Sequence, residues 1–304
     1  MAKKSSKTAP KKKTSVPPKA VKRPVKLPNA WQLAQTAWQT LWAHKKLFIV
    51  ITLIYGLLNL VLVQGLAGGT DVSTLKHSLN QAFTGQLGPL ASAASVFVVL
   101  IGSSGNSSSQ TAGAYQLLLG IITSLAVIWA LRQVLAGTAI RIKDAYYRGM
   151  YPLVPFILVL LLIGLQLLPL LIGSTLYNLV ISNGIAVNLI EKLACLLLFM
   201  LLSIWSLYMI SASLFAMYIV TLPDMTPLKA LRSARELTRG RRWTVLRKIL
   251  CLPIILLAAA AVGMVPIIIV LTPLAQWIFF LLTMFALVAI HAYMYTLYRE
   301  LLNE

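Results

Sequence analysis

Acidic side chains are what this chain has least of: seven Asp and Glu stand against 27 Lys and Arg in 304 residues, and charged residues of both signs make up only 11%. A soluble domain carries roughly 25% charged residues, so a surface solvated all round is excluded. Histidine is nearly as scarce, with His44, His77 and His291 far apart along the chain. Neither Cys-x-x-Cys nor His-Glu-x-x-His occurs, so no metal and no cofactor is expected. There are no paired carboxylates in apolar surroundings, no glycine-rich phosphate loop and no serine with an acid–base partner. The expectation is a protein that is not an enzyme.

Apolar residues fill the space left by charge, at 59% of the chain with a mean hydropathy of +0.82. They are gathered into runs of about 20 residues, the helical length that crosses a hydrocarbon core ~30 Å thick. The runs are Leu47–Leu66, Ala114–Leu135, Leu153–Gly173, Leu193–Leu222, Ile249–Leu271 and Leu274–Leu297. The predicted fold is all-α, a polytopic transmembrane helix bundle of six spans covering residues 29–304. A twelve-residue apolar stretch, Ala91–Gly102, is too short to span and reads as a re-entrant piece of an outer loop. It precedes a serine-rich linker that holds the sequon at Asn106. The two cysteines, Cys195 and Cys251, begin spans of opposite direction. They should lie at opposite membrane faces, beyond the ~7 Å that a disulfide allows.

Basic residues choose the orientation. With the N-terminus inside, 25 Lys and Arg fall on the cytoplasmic side, and only Lys76 and Lys192 fall outside. Both termini are therefore expected in the cytoplasm of a cell-membrane protein. Residues 1–28 hold Lys11, Lys12 and Lys13 among Pro and Ser, with no apolar run to act as a signal core. Such a segment cannot bury a core and reads as a disordered basic tail.

Each cytoplasmic approach to an odd-numbered span repeats one plan: a short amphipathic helix, a basic or glycine turn, then the span. In the first, Asn29 is the N-cap. Trp31, Ala34, Trp38, Leu41 and Trp42 form one face against Gln32, Gln35, Thr36 and Gln39, and Lys45 and Lys46 follow. In the second, Ile142, Ala145 and Tyr146 oppose Arg141, Asp144 and Arg148, ending at Gly149. In the third, Thr226 caps and Pro227 takes the first helical position. There Ala230, Leu231, Ala234 and Leu237 oppose Arg232, Arg235, Glu236 and Arg239, ending at Gly240. Helices of this kind lie in the membrane interface. They serve as anchors or, on a sharper reading, as a gate or docking platform.

The third approach carries a resemblance. Pro223, then Ala230-Leu231-Arg232-Ser233, Leu237-Thr238-Arg239-Gly240 and Trp243, within Tyr218–Leu250, form a pattern similar to that of uncharacterised six-helix membrane proteins. These include the membrane domain fused to some glycerophosphodiester phosphodiesterases. The closing segment Tyr295–Leu301 is similar as well. The resemblance implies a six-helix membrane fold without the catalytic domain, and it implies no activity.

Polar residues inside the spans are few. Asn59, Gln64 and Gln166 suit hydrogen bonds between helices, as do Ser203, Ser206, Ser211 and Ser213. His291 lies near the inner end of the last span among tyrosines. Gly164 with Pro169, and Gly263 with Pro266, are candidate breaks in the third and fifth spans, the kind of interruption from which transporters build sites. The basic positions Lys11, Lys12, Lys13, Lys45, Lys46, Arg239, Arg241 and Arg242 suit anionic lipid headgroups or a protein partner held by the tail. Nucleic acid is the weaker match, since the tail has no aromatic residue on which to stack a base. The expected role is to organise lipids or partners at the cytoplasmic face. The alternative is a permease component for a small or lipid-like solute.

Overall fold

The computed structural model describes residues 28–64, 110–138, 140–182, 188–270 and 272–302. The lysine-rich tail, the 91–102 stretch and Asn106 lie outside the described residues. Among the described residues all regular structure is helical, and six helices are long and apolar enough to cross a membrane. The all-α bundle expected from the sequence is what the chain forms.

Helix α1 (Ala30–Ala43) passes through His44 into α2 (Lys45–Leu58), which continues as a π-helical segment, Asn59–Gln64. Helix α3 (Gln110–Leu135) and the short α4 (Ile142–Gly149) follow. The hairpin of α5 (Leu153–Ser182) and α6 (Leu189–Ser213) leads into a single turn, α7 (Ala216–Ile219). Then come α8 (Pro227–Leu237), α9 (Arg242–Val270) and α10 (Thr272–Leu302). The third span runs on past Gly173 to Ser182, and within it the hydroxyls of Ser174 and Thr175 donate back to the Leu171 carbonyl, at 2.9 and 2.8 Å. The fourth starts earlier than its apolar run, at Leu189, where the backbone N–H of Asn188 donates to the Glu191 carboxylate (3.3 Å) and satisfies the helix start.

Proline does not divide the spans. Helix α5 is continuous through Pro169, and α9 through Pro253 and Pro266. Each proline removes one ladder hydrogen bond, and the long helical segments on both sides carry the axis across the gap. Gly164, Gly263 and Pro266 face outward, with open space where a Cβ would stand at either glycine. The expected breaks in the third and fifth spans are therefore absent, and Gly263 and Pro266 line no interior.

The helices pack in a cyclic order. Three units, α1–α2–α3, α4–α5–α6 and α8–α9–α10, each pair their two spans as a hairpin. The second span of each unit packs on the first span of the next: α3 on α5, α6 on α9, and α10 back on α2. The amphipathic helices obey the same rule. Helix α4 lies on α3 and α2, α8 lies on α6 and α5, and α1 lies on α10 and α9. The threefold plan read in the sequence thus corresponds to a threefold order of contacts, closed by the first helix docking on the last.

One apolar core joins all three units at the end that carries the amphipathic helices. It includes Leu33, Phe48, Ile128, Phe156, Phe215 and Leu297. Towards the other end the packing divides into smaller clusters: Tyr55, Val63, Leu119 and Met284 between α2, α3 and α10, and Met264, Ile268 and Ala275 between α9 and α10. Leu197, Leu201 and Ile204 on α6, with Ile254, Leu257 and Val262 on α9, are exposed. In a bilayer these side chains meet lipid tails as apolar as themselves.

Candidate functional site at the basic end

The rim of the bundle is built from the three amphipathic helices. Helix α1 begins with the backbone N–H of Asn29 donating to Gln32 Oε1 at 3.0 Å, the capping expected there. Its faces differ from the sequence reading. Leu33, Ala37 and Leu41, at four-residue spacing, are buried against the protein, while Trp31, Trp38 and Trp42 are 70%, 52% and 61% exposed. The helix has three sectors, not two: aliphatic toward the core, indole toward the surroundings, and Gln/Thr on the third side. Trp38 stacks on Trp42 with ring centroids 5.8 Å apart, and Lys45 Nζ sits 5.4 Å over the Trp42 ring.

Helices α4 and α8 bury the small residues read from their pattern. Ala145 and Gly149 of α4 are closed off against α3, and Ala230 and Ala234 of α8 are buried. Thr226 caps α8, accepting from the Lys229 N–H at 3.4 Å. These packings explain the motif residues physically. Ala230 permits close approach, and Leu231 and Leu237 pack on the core edge. Gly240 takes the left-handed φ of +81° that lets the chain leave α8. Trp243 is 67% exposed, level with the start of α9, while Pro223 is exposed and Ser233 half-buried. Burial without a hydrogen-bond partner pushes the Tyr146 hydroxyl on α4 up to about 12.

The charges point outward from this rim. Lys45, Lys46, Arg141, Lys143, Arg148 and Arg239 are exposed, and Arg241 and Arg242 are half-buried. Arg242 lies 5.4 Å over the Tyr208 ring. Lys11, Lys12 and Lys13 lie outside the described residues, but where the tail enters the bundle is defined. Lys248 is 6% exposed, and its Nζ donates to the Pro28 carbonyl at 2.5 Å. Tyr293 in turn donates to the Lys248 carbonyl at 3.1 Å. Pro28, where the described residues begin, is therefore held against α9.

Beneath the rim α3, the α7 turn that follows α6, and α10 contribute to one polar cluster. Arg132 at the end of α3 donates to the Thr221 carbonyl (2.9 Å), to the Tyr218 carbonyl (3.4 Å) and to the Thr221 hydroxyl. It thereby satisfies the carbonyls left open where α7 ends. The Tyr218 hydroxyl and His291 Nδ1 share a hydrogen bond of 3.1 Å, with both residues buried. Tyr218 also stacks on Tyr298 at 6.0 Å and lies 5.9 Å from Tyr295. His291 near the inner end of the last span is thus bonded to a neighbouring helix and buried in the core. Sequence reasoning passed over Arg132 and Lys248, which it counted only as flanking charge. The available signal was a guanidinium within the apolar run of a span, three residues after Trp129.

The other candidate positions are dispersed. Asn59 is buried at the start of the π-helical segment, in reach of the Tyr55 hydroxyl, and Gln166 on α5 has an unpartnered Oε1. The backbone carbonyl of Gln166 accepts from the Ser206 hydroxyl at 2.8 Å. Pro169 is half-buried. Among the described residues no three His, Cys, Asp or Glu side chains stand close enough to hold a metal ion.

Six apolar spans and the amphipathic rim define a multi-pass membrane protein of helical-bundle architecture. Comparison with protein-family models, with curated proteins and with solved structures finds no match.

Proposed function

We propose that the protein is a non-enzymatic membrane organiser whose basic end, on the cytoplasmic side, gathers anionic lipid headgroups or a protein partner. The carrying observation is the rim, where three amphipathic helices are fixed in cyclic order on one core and exposed Lys and Arg stand on α4, on α8 and at the start of α2. Basic residues near an anionic surface attract it by ~1 kcal/mol each, so Lys45, Lys46, Arg239, Arg241 and Arg242 together give strong retention. Tail residues such as Lys11, Lys12 and Lys13 extend the reach of that charge. The similarity of residues 218–250 to the membrane domain of glycerophosphodiester phosphodiesterases supports a structural domain and adds no chemistry.

The test is mass spectrometry of what co-purifies from native membranes with the full chain and with residues 2–26 deleted. A stoichiometric protein lost with the tail supports a scaffold. Anionic lipid retained by both forms, and lost when Arg239, Arg241 and Arg242 become Gln, supports lipid gathering. Neither result would leave the proposal without support. The permease reading has one observation in its favour, the buried amide of Asn59 inside a span. It requires solute flux that falls when Asn59 or Gln166 is replaced.

A further inference from the structure

Helices α6 and α9 belong to different units and pack on each other, yet burial along them is uneven. On α6 no residue before Ser206 is buried, and on α9 none is between Leu252 and Met264. Their far halves turn to other partners. Phe199 and Leu202 of α6 stand over Gly173 of α5, and Met264 and Ile268 of α9 pack with Ala275 of α10. Over most of its length α6 therefore presents an uncovered apolar face.

That face has a defined top. Tyr208, Ile204, Leu201 and Leu197 follow at four- and three-residue spacing, which lines them up on one side of the helix, and all four are exposed. Arg242, the first residue of α9, sets its guanidinium 5.4 Å over the Tyr208 ring. Among the described residues that guanidinium makes no hydrogen bond and no ion pair. Leu250 and Leu257, also exposed, continue the side of α9 between Arg242 and Trp243. Contact with a ring steadies the cation and leaves its N–H fork, whose geometry matches phosphate, without an oxygen acceptor. From Ile204 to Leu197 the apolar strip then runs ~10 Å along the helix. A cation at the basic end above a strip of hydrocarbon has the order of a single lipid, headgroup anion first and acyl chain after.

We propose that Arg242 and Tyr208 cap a docking surface on α6 and α9 for one anionic phospholipid, with its phosphate on the guanidinium and an acyl chain along Ile204, Leu201 and Leu197. The proposal rests on the reading that the basic end gathers anionic lipid, and narrows it from summed charge to one seat. Charge selects the occupant: a second copy laid on this face about a twofold axis would bring its own Arg242 patch, like charge toward like.

The experiment titrates dioleoylphosphatidylglycerol into the purified full chain in detergent and counts bound lipids by native mass spectrometry. Arg242→Gln should weaken the first lipid about tenfold, the scale of one hydrogen bond to a charged group. Tyr208→Leu keeps the strip apolar but frees the cation, and should weaken it about threefold; it stands in if Arg242→Gln does not fold. Lys45→Gln combined with Lys46→Gln, at the start of α2, should leave the first lipid unchanged. An unchanged first lipid in the Arg242 and Tyr208 variants overturns the seat. So does an equal loss in the lysine pair, which would leave gathering by rim charge intact. No binding to the unaltered chain would sink both readings. Displacement of the lipid by glycerol phosphate, a headgroup without chains, would give the cation to a free anion and overturn the proposal. Lipid-free dimers abolished by Leu201→Trp would give the strip to a second copy and overturn it too.

Discussion

Gly149 shows how little room a single residue has at the rim. A Cβ there would lie 3.1 Å from the Leu125 carbonyl oxygen and 3.2 Å from Ala126 Cα, both in the backbone of α3. Backbone does not step aside, so Gly149→Ala should cost ~1–3 kcal/mol by overpacking. Gly164→Ala, with open space around it, should be neutral or gain up to ~1 kcal/mol from helix propensity. Thermal unfolding of both in detergent checks the contrast. The Tyr218–His291 hydrogen bond invites a double-mutant cycle with Tyr218→Phe and His291→Leu. A coupling of ~0.6–2 kcal/mol is expected for a bond between helices, and zero coupling would show the two rings merely to be neighbours. Tyr146 gives a pH signature. Its folded-state value, raised from 10.0 to about 12, means that the protonated hydroxyl is favoured by folding. Its contribution is whole below pH 10 and is lost as pH rises through 12. Tyr146→Phe should remove that alkaline dependence while leaving neutral-pH stability unchanged or slightly higher, because the hydroxyl has no partner to lose. Unfolding curves taken at stepped pH values decide both points.

At the scale of the element, α1 separates two meanings of hydrophobic. Leu33, Ala37 and Leu41 hold the protein together, whereas Trp31 and Trp42 point away from it and the half-exposed Trp38 lies edge-on to Phe285 of α10. Leu33→Ala should therefore destabilise the fold by ~2–5 kcal/mol. Replacing Trp31 and Trp42 by Gln should leave stability in detergent nearly unchanged and weaken only the attachment of the rim to bilayers, read by flotation with vesicles. The same division explains what the sequence could and could not reveal. Spans and capped amphipathic helices were legible because run length, Thr226-Pro227 and Gly240 are local signals. The working face of α1 was not, because indole is counted as apolar yet prefers the headgroup layer. Arg132 was not legible either: its acceptors are mostly backbone carbonyls on another unit, and no residue type announces an open carbonyl. Continuity through Pro169 and Pro266 was hidden for a related reason, since a proline's effect depends on how firmly its flanks are held.

At the scale of the whole molecule, the core and the polar cluster sit at the same end, where Arg132, Tyr218 and His291 bring the three units together. The opposite end is split among smaller clusters. Loss of the cluster should therefore loosen the three units together. Arg132→Ala is expected to raise proteolytic nicking in the Leu222–Met225 turn, which limited proteolysis would show.

The cyclic order also has a consequence in time. Helix α1 is made well before its docking surface on α10. At ~5–20 residues per second the ribosome takes tens of seconds to deliver that partner. Throughout that interval Leu33, Ala37 and Leu41 have no protein to cover them, and the membrane surface must hold the helix. The tryptophans and the lysines beside them are then a waiting berth for α1 during synthesis as well as an anchor afterwards, and the ring closes only once α10 is made.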